Sequence, residues 1–345
     1  MKKAKSGAVK PRNGKSRAKN VPIRTANVER TRERWHDAII VDYIRFRRWP
    51  GVERVGLGMK EIRNRHTKKY SVKIYVREKG EPADPGHRFP AKTRVLLPVG
   101  KGMFKTRWVP TDVVAARTVV LCSGASNYFD PIRAGAQIGR PGNEVGTLAC
   151  IVKDSSGNLL GLTAGHVVSS SSGPVPKDNL VDQPLDSASA SRLGYTVDGF
   201  VGNQDSIGYV DWATVTLERR QFDGNRAWEP AFTFTKQILP EADITNGAPA
   251  AETLGGFTNE RRRGTFSARF WEVTLKSGEV LHNLTEFASE AGTTLAQRGD
   301  SGALVVSRAN GSDGEVIGIV CAASDPPDNR AYVVPFARIP GLVVA

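Results

Sequence analysis

Cysteine is scarce in this 345-residue chain: Cys122, Cys150 and Cys321 are the full complement. So small and odd a number excludes a disulfide framework, and their spacing excludes a cysteine metal site. Three buried small hydrophobes in a reducing compartment, the cytoplasm, are the expectation. Long apolar runs are lacking too. None approaches the roughly 18 residues of a membrane-spanning helix, so no membrane span is expected. The first residues, MKKAKSGAVKPRNGKSRAKN, are basic with no apolar stretch behind them, which argues against a secretory signal. Histidine numbers only five, which narrows the choice of a catalytic base. No cofactor and no metal is expected.

Acidic residues are missing where basic ones gather. Residues 1–79 hold 24 Lys or Arg against 7 Asp or Glu, a balance of +17, while the remainder holds 25 against 28, a balance of −3. The chain is a basic front end attached to a near-neutral body. A tail this poor in large apolar residues cannot offset its ordering entropy, so 1–27 is expected to be disordered. Such a tail suits phosphates or an acidic partner, through counterion release. Without interleaved aromatics it is not a base-stacking surface. The bland alternative is a solvated tail.

After the tail, VERTRERWHDAIIVDYIRFRRW places Trp35, Ile39, Tyr43 and Phe46 at three- and four-residue steps, which predicts an amphipathic helix closed by Pro50. GVERVGLGM and YSVKIYVRE then read as strands, with the charged KEIRNRHTKK as their connector. RVLLPV and WVPTDVVAA return to extended structure. Residues 28–118 are therefore expected to form a small α+β domain. From 119 to 345 the texture is short β-branched runs separated by Gly, Ser, Asn and Asp: TLACIV, LLGLTA, WATVTL, GTFSARFWEVTL, GALVVS, EVIGIVCA and AYVVPF. That pattern predicts a mainly β unit, a barrel or sandwich.

Three of these runs carry chemistry. LLGLTAGHVV sets His166 just past an apolar strand, GYVDWATVTL sets Asp211 at the head of another, and QRGDSGALVV sets Ser301 in a glycine-rich turn before a third. A serine hydroxyl is a poor nucleophile until an imidazole takes its proton. The imidazole in turn needs a buried carboxylate to fix its tautomer and offset its charge. Flanking glycines let the amides of Gly299 and Ser301 point one way, toward a developing oxyanion. Each piece alone has a plainer reading: Gly-Asp-Ser-Gly is ordinary turn composition, and Asp205, Asp198 and Asp186 compete with Asp211. Asp211 is preferred because the run after it implies a buried carboxylate, which needs a partner.

Taken together, TAGH, VDWATVTL and GDSG resemble the motifs of the chymotrypsin-like serine proteases, in that family's order His, Asp, Ser and with gaps of 45 and 90 residues. The resemblance covers about 140–340 and implies a double β-barrel. His166 would be the general base, Asp211 its orienter, and Ser301 the nucleophile, with Gly299 and Ser301 as oxyanion donors. GVERVGLGMK, SVKIYVREK, WVPTDVVAA and RPGNEVGTLACIV resemble, further, bacterial trypsin-like proteins with a small N-terminal α/β domain, similar to the plant NARROW LEAF proteins. Val167 after His166 departs from the family's disulfide there, and no activation site with an Ile-Val terminus is evident. Leu295, six residues before Ser301, stands where the family often sets charge preference, so an acidic pocket floor is not expected. Cys321, Ala322 and Ala323 would form the other wall, with room for an apolar or medium-sized side chain.

The resemblance implies a serine endopeptidase acting on protein or peptide substrates through an acyl-enzyme, with the substrate strand paired to a sheet edge near 319–323. The competing reading is a catalytically idle protease fold that serves as a binding or scaffold module, its basic front end anchoring nucleic acid or an acidic partner.

Overall fold

The computed structural model describes residues 35–345, apart from 63–64, 78–88, 101–102, 116–118, 121–128, 130, 142–144, 184–190, 206, 219–220, 228, 230–231, 256–260, 276, 291–293, 298, 309–312 and 325–329. The basic tail and Cys122 lie outside the described residues. The chain is mainly β, as its alternating runs require, and two barrels organise the described residues between Gln137 and Pro335.

The first barrel is built from Gln137–Gly139, Val145–Thr147 continuing into Cys150–Lys153, Leu159–Thr163, Gly208–Val215, Ser191–Gln204 and Leu180–Gln183. Consecutive members are antiparallel neighbours, and Leu180–Gln183 returns to Gln137–Gly139. Closure depends on a bend at Leu148–Ala149. Ahead of it the chain pairs with Gln137–Gly139, and after it Ala149 N–H bonds Leu162 O. The interior is filled by Ile138, Leu148, Ile151, Val167, Val181, Leu193, Ala213 and their neighbours. The second barrel runs Arg261–Thr274, Ala250–Leu254, Leu304–Ser307, Gly314–Ser324, Arg330–Pro335 and Val280–Ser289, which pairs back onto Arg261–Thr274. Phe266, Phe287, Val305, Ile317 and Val333 fill it. Closing each sheet leaves few exposed edges.

The N-terminal strands are not a separate layer. Val52–Ile62 pairs antiparallel with Arg261–Thr274, so Val52–Ile62, Arg65–Val76, Met103–Ala115 and Lys92–Gly100 extend the second barrel's sheet. A buried polar cluster reinforces the junction. Glu286 Oε1 accepts from Arg330 Nη1 at 2.7 Å, Ser267 Oγ at 2.7 Å and Tyr75 Oη at 2.9 Å, and its Oε2 accepts from Tyr332 Oη at 3.0 Å. Lys73 Nζ donates to Ser267 at 3.0 Å, and the Arg54 guanidinium lies 4.3 Å from the Tyr75 ring centre. Tyr75, Lys73 and Arg54 come from the front of the chain, and Ser267, Glu286, Arg330 and Tyr332 from the barrel.

The long amphipathic helix expected here is replaced, within the described residues, by a strand at Ile39–Ile40 and a helix of only five residues, Tyr43–Arg47. Ile39 and Ile40 pair with Leu96 and Val95, and Asp42 accepts from Thr93 Oγ1 at 2.7 Å. The β-branched run Ile39–Val41 thus completes a sheet edge, and this tertiary pairing overrides the helical period. Phe46 is buried while Ile39 and Ile44 are exposed. The charged segment expected to be a connector instead carries on both strands, which reach Ile62 and resume at Arg65.

Candidate active site

Two elements of the first barrel and one of the second converge where the barrels meet. Thr163 ends an apolar strand, and the short helical turn Gly165–Val168 that follows carries His166, with Val167 and Val168 buried beneath it. Asp211 lies inside strand Gly208–Val215 rather than at its head, with no exposed surface. Ser301 occupies the turn leading into Leu304–Ser307. Residues separated by 45 and 135 positions therefore meet.

Asp211 grips His166 twice. The backbone N–H of His166 donates to Oδ1 at 3.0 Å, and Oδ2 lies 2.5 Å from ring Nδ1. A carboxylate only accepts, so Nδ1 carries the proton and Nε2 keeps its lone pair. Nε2 lies 2.8 Å from Ser301 Oγ, which donates to it. The three side chains form one hydrogen-bonded line. Among the sequence-expected residues, the structure brings these three together.

The serine turn is held from several sides. Gly299 has φ +106°, a conformation that side chains oppose, so glycine is required there. Thr147 binds two carbonyls of the turn: its Oγ1 donates to Gly299 O at 3.0 Å and its N–H to Ser301 O at 2.7 Å. Asp300 N–H donates to Gln297 O at 3.0 Å, and Asp300 Oδ2 accepts from Gln297 N–H at 3.1 Å. Gly255 makes room for that carboxylate, since a Cβ there would overlap Asp300 Oδ1.

The residues expected to shape a substrate pocket are all buried. Leu295 and Ala323 pack in the second barrel's core with Phe266 and Phe287, whereas Cys321 and Ala322 pack with Tyr209 and Tyr332. The Cys321 thiol donates to Tyr332 O at 3.3 Å, and burial, followed by the Asp211 charge, pushes it well above the ordinary thiol range. It is fully buried and close enough to Asp211 to feel its charge. Tyr209 is a second neighbour that sequence reasoning missed: burial first, then the Asp211 charge, drives its phenol far above the usual range. The available signal was period two, which puts Tyr209 and Asp211 on the same strand face. Thr147 and Gly255 gave no sequence signal, because they act only through contacts with a distant turn.

No protein-family model and no curated protein matches this chain. Solved structures do. One is described as a glutamic-acid-specific serine protease that uses a histidine triad in substrate binding: 18% identity, TM-score 0.43, covering 62% of this chain and 100% of that one. A Nocardiopsis protease shares 18% identity at TM-score 0.44, covering 62% of this chain and 99% of its own. A Cellulomonas bogoriensis chymotrypsin shares 17% at TM-score 0.39, covering 63% and 99%. These three solved structures are chymotrypsin-like serine proteases, and the similarity, at low identity, is one of fold.

Proposed function

We propose that the chain is a serine endopeptidase in which Ser301 attacks, His166 moves the proton and Asp211 holds the imidazole. The observation that carries this reading is the unbroken line from Ser301 Oγ through His166 to Asp211, at 2.8 and 2.5 Å. A buried carboxylate with no other role would be a costly thing to keep against a histidine. Here it fixes the tautomer in which Nε2 accepts.

In the proposed reaction, Ser301 Oγ forms a bond to the scissile carbonyl carbon as its proton passes to Nε2. The oxyanion is received by the amides of Gly299 and Ser301 in the positive-φ turn. The imidazolium, steadied by Asp211, then protonates the leaving nitrogen as the C–N bond breaks and an acyl-enzyme remains. Water, deprotonated by His166, attacks the acyl carbon and releases Ser301. The substrate would lie as a strand on the edge beyond Val320, beside Ser301. The basic front end is proposed to anchor nucleic acid or an acidic partner, tested by retention on DNA that falls steeply with salt and is lost on deleting residues 1–27.

The second reading, an idle binding module, has one observation in its favour: Ser301 has no exposed surface and His166 only 8%. Labelling with a small fluorophosphonate separates the two. The endopeptidase reading requires covalent labelling that disappears in Ser301→Ala; a wild-type protein inert to a series of such probes would establish the idle module.

A further inference from the structure

Strand Gly314–Ser324 offers two edges. One is paired with Arg330–Pro335 from Gly318 to Ala323. The other is covered first by Leu304–Ser307, with Leu304 opposite Ile319 and Val306 opposite Val316. The Ser301 turn continues that cover: Gly302 N–H bonds Val320 O at 2.7 Å and Val320 N–H bonds Ala303 O at 2.9 Å. Beyond Val320 the same edge runs past Ser301, along Cys321 to Ser324. This is the stretch on which a substrate strand would pair, and it is not vacant. Val119–Val120 lies on it antiparallel, with Val120 opposite Ala323 and Val119 opposite Ser324.

The direction of that strand is informative. Leu304–Ser307 and Val119–Val120 are both antiparallel to Gly314–Ser324, so they run the same way along one edge. The step from Val119 to Val120 therefore heads from Ser324 toward Val320, that is, toward Ser301. A substrate strand laid antiparallel on this edge, with its scissile bond at Ser301, has the same polarity. The sealed state of Ser301 accords with an occupied cleft.

We infer that Val119–Val120 is an internal occupant of the substrate-binding edge, which a peptide must displace before it reaches Ser301. The inference rests on the endopeptidase reading for its consequence, since only a protease is inhibited by it. The occupant is tethered tightly. Val119 is four residues past Ala115, the end of strand Met103–Ala115, and so lies within about 14 Å of it. That strand is paired with Arg65–Val76, whose Tyr75 and Lys73 are fastened to the barrel at Glu286 and Ser267. A tethered strand competes at an effective concentration in the millimolar range, so it excludes weak peptides and yields to good ones. Two residues make a short strand, which keeps the contact reversible. An edge left bare would invite pairing with other chains.

The test is peptide binding in a Ser301→Ala background, where nothing is turned over. The probe is a fluorescent peptide copying residues 117–124, with serine in place of the cysteine, read by anisotropy. Adding Val119→Pro and Val120→Pro removes the backbone donors of the occupant and should tighten binding about tenfold, as expected when a blocked fraction of about nine-tenths is released. Equal affinity in the two proteins, with thermal midpoints unchanged, overturns the inference. Should the prolines disturb folding, Val119→Gly with Val120→Gly weakens the strand and keeps its donors; about threefold tighter binding is then expected, and none overturns. Fluorophosphonate labelling of the Val119→Pro, Val120→Pro protein with Ser301 intact judges the protease reading separately, because there the occupant no longer covers Ser301. Tighter peptide binding without labelling would retain the occupant and discard the protease.

Discussion

Replacing Glu286 by glutamine tests the junction that holds the front of the chain to the second barrel. Burial by itself would push this carboxyl up; Arg330, then Arg54 and Lys73, and the Ser267 hydroxyl overcome that and hold it down at about 2, from an ordinary 4.5. A group that titrates near 2 folded and near 4.5 unfolded contributes roughly 3 kcal/mol. Because the folded value is the lower one, that contribution is present in full above about pH 5 and is lost as pH falls toward 2. The Glu286→Gln substitution removes the charge and turns an amide donor toward cations that are themselves donors. The same figure follows from the general cost of breaking a buried pair, about 3–5 kcal/mol. In a chain of this size that corresponds to a thermal midpoint lower by about 5 °C at pH 7. Urea titration and thermal melts at pH 7 and again near pH 3 measure it, and the gap between variant and wild type should shrink on acidification. A loss below about 1 kcal/mol at pH 7, or one that stays the same as pH falls, would refute the reasoning.

Three further outcomes are expected. Asp211→Asn should slow labelling of Ser301 by about 10⁴-fold, since an amide permits the wrong histidine tautomer; near-normal labelling would show that Asp211 does not orient His166. Gly255→Ala alters none of Ser301, His166 and Asp211 but sets a Cβ into the space of Asp300 Oδ1. The Ser301 turn must shift, and labelling should fall about a hundredfold, so an unaffected rate would mean that the Asp300 contact is not needed. Burial pushes the Cys150 thiol up to about 12 and, with Asp211 adding to it, pushes Cys321 well up. In a Cys122→Ser protein, mass spectrometry after iodoacetamide at pH 8 should find neither alkylated until urea is added.

Much of the candidate site was legible in the sequence because its residues stand in local motifs. His166 follows an apolar strand that fixes it, LLGLTAGHVV, and Ser301 sits in GDSG, a turn whose Gly299 and Gly302 take positive φ. The choice of Asp211 over Asp205 and Asp198 also followed from local pattern, since the apolar run after it marks a buried strand. Legibility failed where long-range pairing overrode a local period. Trp35, Ile39, Tyr43 and Phe46 are spaced for a helix, yet Ile39 and Ile40 are held extended by Leu96 and Val95, some 55 residues on. Leu295, read from its offset to Ser301, packs among Phe266, Phe287 and Ala296 without exposed surface, contacts that the offset alone did not show.

The sequence by itself determined the mainly β character and singled out the three side chains of the candidate site, because β-branched alternation and short motifs such as TAGH and GDSG are properties of adjacent positions. Only the tertiary structure decided that the front strands extend the second barrel's sheet. It alone decided that Arg54, Lys73 and Tyr75 meet Glu286 from the far end of the chain, and that Val119–Val120 lies on the edge beside Ser301. Those are pairings between distant segments. Backbone N–H and C=O groups are the same at every residue, so no side-chain pattern announces which strand will come to rest against which edge.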